Sequence, residues 1–225
     1  VGSYREDEAT MATLDILDHL EVDYTLIDEV CCSGALEDVG FQINETLAQK
    51  NMDLIFTVGA RTVITGCPYC SRTFNNKPQY SALKDAGLNI IHISQFLKDF
   101  NLGVKTDKVV TYHDPCDLGR HCDIYDEPRE IIQRIAPNFV EMRHNRANAL
   151  CCGAGGGVRG AFAKNSIDMA RRRLEEVEEA GAEILLTECN SCVHNLGNAK
   201  LRAQKFKIYT TTQFLSQLLE EQDQG

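Results

Sequence analysis

Ala60-Arg61-Thr62-Val63-Ile64-Thr65-Gly66-Cys67-Pro68-Tyr69-Cys70 and Ala182-Glu183-Ile184-Leu185-Leu186-Thr187-Glu188-Cys189-Asn190-Ser191-Cys192 are two versions of one pattern. In each, a short aliphatic run ends at a threonine, and a Cys-x-x-Cys begins two residues later. A run of this length and composition reads as a strand. Pro68, placed directly after Cys67, suits the first residue of a helix. A strand feeding a helix in this way leaves the thiols at the strand's carboxyl end, where open α/β sheets gather their ligands.

The match extends outward from these stretches. Cys31-Cys32 precedes Cys67 by 34 intervening residues, and Cys151-Cys152 precedes Cys189 by 36. Asp7-Glu8 opens a helical stretch as Asp126-Glu127 does, and Ile93-Ser94-Gln95-Phe96-Leu97 corresponds to Thr211-Thr212-Gln213-Phe214-Leu215. The offset stays at about 118–122 residues throughout, the mark of an internal duplication. A break at Gly103 divides the chain into a first lobe, residues 1–103, and a second, residues 104–225.

Each lobe reads as alternating helix and strand. In the first, the pattern predicts a helix over 6–20 and a strand near 24–27 that delivers Cys31-Cys32. A helix over 37–56 and strands at 62–65 and 89–91 follow, then a helix capped by the Ser94 hydroxyl. In the second, strands are expected at 108–112 and 183–187 around one long charged helix over 158–180. The fold class is therefore α/β: two pseudo-symmetric lobes, each a small, mostly parallel sheet flanked by helices. All cysteine motifs would sit at the carboxyl ends of strands.

Composition narrows the function. The 225 residues are 43% hydrophobic and 25% charged, with a net charge of -10, enough apolar content for a core. No apolar run approaches the ~20 residues of a membrane span. The acidic balance argues against nucleic acid or an anionic membrane surface as partner. No export signal is visible, so a cytoplasmic protein is expected, peripheral to a membrane complex at most.

Ten cysteines are too many for ordinary packing. Three readings are open: a secreted disulfide framework, structural zinc, and iron–sulfur ligation. The first needs an export signal, and a vicinal pair makes a strained disulfide. Zinc is content with four ligands per site. Adjacent cysteines aimed at one polynuclear group suit iron and sulfide best.

Cys151-Cys152-Gly153, His113-Asp114-Pro115-Cys116 and Thr65-Gly66-Cys67-Pro68-Tyr69-Cys70 resemble the cysteine-rich CCG domain family, nearest to the B/D-type catalytic subunits of heterodisulfide reductase. The resemblance implies a ligand set of one cysteine, a vicinal pair and a Cys-x-x-Cys holding a non-cubane [4Fe–4S] cluster, in two copies. The second copy is complete, with Cys116, Cys151, Cys152, Cys189 and Cys192. The first offers Cys31, Cys32, Cys67 and Cys70, with Ser33 where the second has Gly153, and lacks its leading cysteine. The repeat offset places that residue ahead of Val1. The chain thus reads as a piece of a longer polypeptide, with Val1-Gly2-Ser3-Tyr4-Arg5 following the missing cysteine; the alternative is an altered or absent first cluster. The resemblance further implies cleavage of a mixed disulfide of the coenzyme M–coenzyme B type, with electrons from ferredoxin-type, flavoprotein or cytochrome-containing subunits.

His113 and His144 are candidate proton carriers, and Arg159 a candidate contact for an anionic substrate. Gly153, Gly155 and Gly156 would let backbone amides approach the cofactor; Gly155-Gly156-Gly157-Val158-Arg159-Gly160 formally matches a dinucleotide fingerprint but follows no clear strand. Cys122 has no repeat counterpart and reads as a bystander. Arg171-Arg172-Arg173 reads as a solvated helix face, with a pair such as Arg171–Glu175. Three function classes follow: a disulfide-reducing catalytic subunit, an electron-transfer subunit of a glycolate, lactate or glycerol-3-phosphate dehydrogenase type of complex, and a zinc-bearing scaffold.

Overall fold

The computed structural model describes residues 7–223. In the first half α1 spans Asp7–His19, α2 Glu45–Val58, β1 Thr62–Thr65, α3 Pro68–Asn76, α4 Ser81–Asp85, β2 Asn89–His92 and α5 Ile93–Leu97. In the second, β3 (Val110–His113) is followed by α6 (Gly119–Cys122), α7 (Asp126–Ile135), α8 (Val158–Ala161) and α9 (Ala163–Glu179). β4 (Ile184–Thr187), α10 (Asn190–Ala199), β5 (Lys207–Thr210) and α11 (Thr211–Asp223) complete it.

The fold is α/β, with two small parallel sheets flanked by helices. β1 pairs with β2 in register Thr62↔Asn89. β4 lies between β3 and β5, in registers Val110↔Ile184 and Ile184↔Lys207. All four residues of β4 are buried, as expected of a central parallel strand covered on both faces. β1, an edge strand, is buried only at Thr65.

One apolar cluster joins both halves. Ile16 and Leu17 of α1 and Ile93 and Leu97 of α5 pack with Val110, Ile132, Leu186 and Leu215. α1 lies along α11, where Thr13 Oγ1 donates to Thr212 Oγ1 at 3.3 Å. Each half also keeps its own smaller core, around Met52, Tyr80 and Leu83 in the first and Leu174, Val177 and Leu196 in the second. No helix among the described residues is long and apolar enough to cross a membrane.

Several boundaries differ from the sequence expectations. No strand forms over 24–27; residues 22–33 run without a ladder partner. The buried Asn51 side chain supplies the missing pairing there: Val30 N donates to Asn51 Oδ1, and Asn51 Nδ2 to Val30 O, both at 3.0 Å. The helix expected over 37–56 begins instead at Glu45, because Asn44 caps it by accepting from Leu47 N at 3.0 Å. Residues Gly34–Val39 form a separate 3-10 turn ended by Gly40 at φ 88°. His92 rather than Ser94 caps α5, accepting from Ser94 N at 3.2 Å, while His92 N donates to Gln95 Oε1 at 3.0 Å. The helix expected over 158–180 breaks at Phe162, whose φ of -136° and ψ of 57° leave the helical region. Glu6 and the opening Val1–Arg5 segment lie outside the described residues.

Candidate metal centre

The two Cys-x-x-Cys motifs are built alike. Cys67 stands immediately before α3 with φ -126° and ψ 120°, and Pro68 is that helix's first residue. Cys189 stands before α10 with φ -119° and ψ 115°. Ser71 N donates to Cys67 O and Val193 N to Cys189 O, both at 3.0 Å, closing the first helical turn. The second cysteine of each motif therefore lies one turn on, over the strand's carboxyl end.

The vicinal pairs also match. Ser33 N donates to Cys31 Sγ at 3.4 Å, and Gly153 N to Cys151 Sγ at 3.3 Å. Both residues take the left-handed conformation this turn demands, Ser33 at φ 55° and Gly153 at φ 80°. A side chain is tolerated only in the first half, where Ser33 Oγ accepts from Asn44 N at 3.1 Å. At Gly153 a Cβ would lie 2.6 Å from Ser166 O. The carbonyls after the inner cysteines are held too: Tyr80 Oη donates to Cys32 O at 3.3 Å, and Asn195 Nδ2 to Cys152 O at 2.6 Å.

In the second half five sulfurs share one electrostatic site. Cys152 Sγ lies 3.0 Å from Cys192 Sγ. Hydrogen bonds from Cys151 and Cys192, with a smaller one from His113, push the Cys152 thiol well below the ordinary range. The same hydrogen bonds, joined for Cys192 by one with Cys189, and burial push Cys151 and Cys192 up. Burial, with the charges of Asp117, Cys152 and Cys189, pushes Cys116 up to about 12. In the first half a hydrogen bond from Cys70 pulls the Cys32 thiol down to about 6 and also lowers Cys67, while Cys70 is raised by both. All ten cysteines are free thiols.

Clustered, largely buried thiols that compete for few protons are a donor set for cations. Ligand atoms of His113, Cys152 and Cys192 all lie within 4.8 Å of one another, fully buried. Five sulfurs exceed what one tetrahedral zinc ion uses, and they fit a polynuclear iron–sulfur group.

Buried arginines brace the second set. Arg129, 3% exposed, grips Asp114 through Nη1 at 2.7 Å and Nη2 at 3.0 Å, and Glu141 through Nε at 2.6 Å. Asp114 Oδ2 also accepts from Arg146 N at 2.8 Å, so the turn leading to Cys116 is fixed from two sides. Arg173 is fully buried; it donates to His113 Nδ1 at 3.0 Å, Glu176 Oε2 at 2.5 Å and His144 O at 2.6 Å. A further pair links the two halves: Arg72 Nη1, two residues after Cys70, reaches Asp117 Oδ1 at 2.8 Å, beside Cys116.

Among the other residues singled out in the sequence, His113 is buried against the sulfurs at the end of β3. His144 stands one step outward, its ring paired through Nδ1 with Glu176 and its side chain 40% exposed. Arg159 is half-buried on α8. Gly155 and Gly156 lie on an exposed turn with open space around them, and Gly157 approaches the first half, where a Cβ would meet Val39 Cγ1 at 2.7 Å. That turn leads into a helix of four residues, too short to present a phosphate-binding terminus. Cys122 ends α6 apart from both sulfur sets, in the wall of a cavity of about 440 Å³ with Ser71, Lys84 and His121.

Arg171 and Arg172 are exposed as expected, but Arg173 is not, and the ion pair of this run is Arg173–Glu176. Arg173 shares its helix face with Ala170, Leu174 and Val177, all buried, and that i, i+3, i+4 spacing is the signal that would have found it. Arg129, on the face of Ile132 and Ile135, is a second case.

A family model, the cysteine-rich CCG domain, matches residues 1–75 and 110–197. The D subunit of the dihydromethanophenazine:CoB–CoM heterodisulfide reductase of Methanosarcina acetivorans is 33% identical over 219 residues, covering 90% of this chain and 53% of that protein. The B subunit of the fumarate reductase (CoM/CoB) of Methanothermobacter marburgensis is 32% identical, over 84% of this chain and 38% of that protein. The EtfAB:quinone oxidoreductase of Syntrophomonas wolfei is 25% identical, over 88% and 30%. The chain spans about half the length, or less, of these relatives.

Proposed function

The chain belongs to the cysteine-rich CCG domain family, and on that premise we propose that it is an iron–sulfur redox subunit which reduces a small-molecule disulfide of the coenzyme M–coenzyme B type to two thiols. The carrying observation is the pair of equivalent sulfur sets, one per half, with matching backbone geometry at Cys31-Cys32 and Cys151-Cys152 and at Cys67 and Cys189.

Iron–sulfur clusters supply electrons singly. Cleaving one S–S bond consumes two electrons and two protons and releases two thiols, a count that two sites on one chain satisfy. Cys116, Cys151, Cys152, Cys189 and Cys192 would hold one non-cubane [4Fe–4S] cluster, and Cys31, Cys32, Cys67 and Cys70 the other. The Gly155–Gly157 turn touches Val39, so loops that follow the two vicinal pairs meet there. Arg159, on the same segment, is suited to an anionic substrate. Of the two histidines His144 is the one open to solvent, and Glu176 holds its ring for proton delivery. Electrons would come from a ferredoxin-type, flavoprotein or cytochrome-containing partner.

The quinone oxidoreductase among the relatives favours one competing reading, in which the same sites relay electrons to a partner without a thiol substrate. Adding coenzyme-type thiols to the oxidised, anaerobically prepared protein separates the two. A thiol-dependent paramagnetic signal supports disulfide chemistry. Intact clusters with no response to thiol would favour relay.

A further inference from the structure

His113 is held in one protonation form by a group that cannot change its own. Arg173 Nε–H donates to His113 Nδ1 at 3.0 Å. A guanidinium keeps its protons in a protein and accepts no hydrogen bond, so Nδ1 must be the acceptor. The ring proton therefore sits on Nε2. The remaining Arg173 contacts hold the guanidinium in place: Glu176 Oε2 at 2.5 Å, His144 O at 2.6 Å and Tyr112 O at 3.4 Å. His113 is itself 1% exposed, and a ring nitrogen lies within 4.8 Å of the Cys152 and Cys192 sulfurs. With Nδ1 taken by Arg173, Nε2–H is the group left to serve the sulfur.

The first half is built differently at the equivalent sulfur. Cys32 Sγ faces the Thr73 hydroxyl at 3.8 Å. The hydrogen of that hydroxyl is already given to Tyr69 O at 2.7 Å. The backbone donors to the outer cysteines match between halves, so they cancel in the comparison. What remains is an N–H backed by the Arg173 charge at Cys152, against the neutral Gly34 backbone N–H and a committed hydroxyl at Cys32.

We infer that Arg173 is a positioning residue: by locking the His113 tautomer it aims Nε2–H at Cys152, and this gives the second sulfur set's cluster a more positive reduction potential than the first's. The inference rests on the iron–sulfur reading above. Hydrogen bonds to ligand sulfur favour the reduced, more negative state of a cluster, and outer groups that orient such donors tune the metal. Electrons entering the chain would then settle first in the second half.

Redox titration followed by electron paramagnetic resonance on the anaerobic, cluster-loaded protein tests this, with signals assigned through Cys32→Ser and Cys152→Ser. In the unaltered protein the second set's signal should titrate at the higher potential. His113→Leu and Arg173→Gln should move that signal to lower potential and leave the other in place. His113→Gln, whose amide N–H can stand where Nε2–H stood, should retain most of the original value. Should Arg173→Gln fail to fold, the His113 pair carries the test, since both variants leave Arg173–Glu176 intact. A first-set signal at the higher potential overturns the inference, as does His113→Leu moving both signals or neither. Absence of iron and sulfide altogether is a different result, and overturns the underlying reading as well.

Discussion

The two halves position their cysteines by the same backbone moves and secure them by different means. Around the second sulfur set the chain is crowded and charged: Gly153 has no room for a Cβ, and buried Arg129 and Arg173 tie down Asp114 and His113 in the segment leading to Cys116. Around the first, the constraints are neutral and looser. Ser33 carries a side chain through the same left-handed turn, and the Asn51 amide clamps Val30 in place of a strand. A duplicated motif thus keeps the geometry of its ligands while the surroundings diverge, and those surroundings differentiate two otherwise equivalent sites.

The largest effect should come from Arg129→Met. It strands the buried Asp114 carboxylate, and losing one partner of such a pair costs about 3–5 kcal/mol. Chemical denaturation should show that loss, and the second sulfur set should lose metal before the first. Gly153→Ala comes next, at about 2–3 kcal/mol, because the new Cβ meets the Ser166 carbonyl at 2.6 Å in a left-handed turn. Ser33→Gly should be near neutral, since relief of the φ 55° conformation offsets loss of the bond to Asn44 N. Equal losses from both would break the contrast between crowded and open turns.

The two halves also cap the helices after β2 and β5 with different residues. His92 and Thr210 occupy equivalent ends of β2 and β5, and the N–H of each donates to a glutamine three residues on; the return bond comes from Ser94 N to His92 Nδ1 and from Gln213 N to Thr210 Oγ1. Burial pulls the His92 imidazole down to about 3 from its ordinary 6.5. The unfolded chain takes up a proton near 6.5 while the folded ring stays neutral to about 3, so stability falls as pH drops through that window. His92→Thr should flatten the decline, measured as unfolding midpoint against pH. The smallest effect belongs to Arg72→Met. Its bridge to Asp117 is partly exposed and should contribute about 1 kcal/mol or less.

The strands Thr62–Thr65 and Ile184–Thr187 and the placing of both Cys-x-x-Cys motifs at their ends were legible in the sequence, because periodicity and spacing are local properties; the vicinal pairs, expected at strand ends too, follow no strand. The pairing of Val30 was not legible. Tyr24 to Ile27 read as a strand, but that segment has no ladder partner, and it is Val30 beyond it that the Asn51 side chain holds. The cap at His92 is local, made with Ser94 and Gln95, but Ser94 is the commoner type of capping residue and drew the reading to itself. Arg173 was hidden by its neighbours, since a run of three arginines looks solvated until the buried stripe of Ala170, Leu174 and Val177 is laid beside it.

The central claim is that each half holds an iron–sulfur group. Iron and acid-labile sulfide per chain, measured on protein prepared without oxygen, test it most directly. Two four-iron clusters require about eight of each, falling to about half in Cys152→Ser. Zinc in place of iron, or iron without sulfide, would contradict the account.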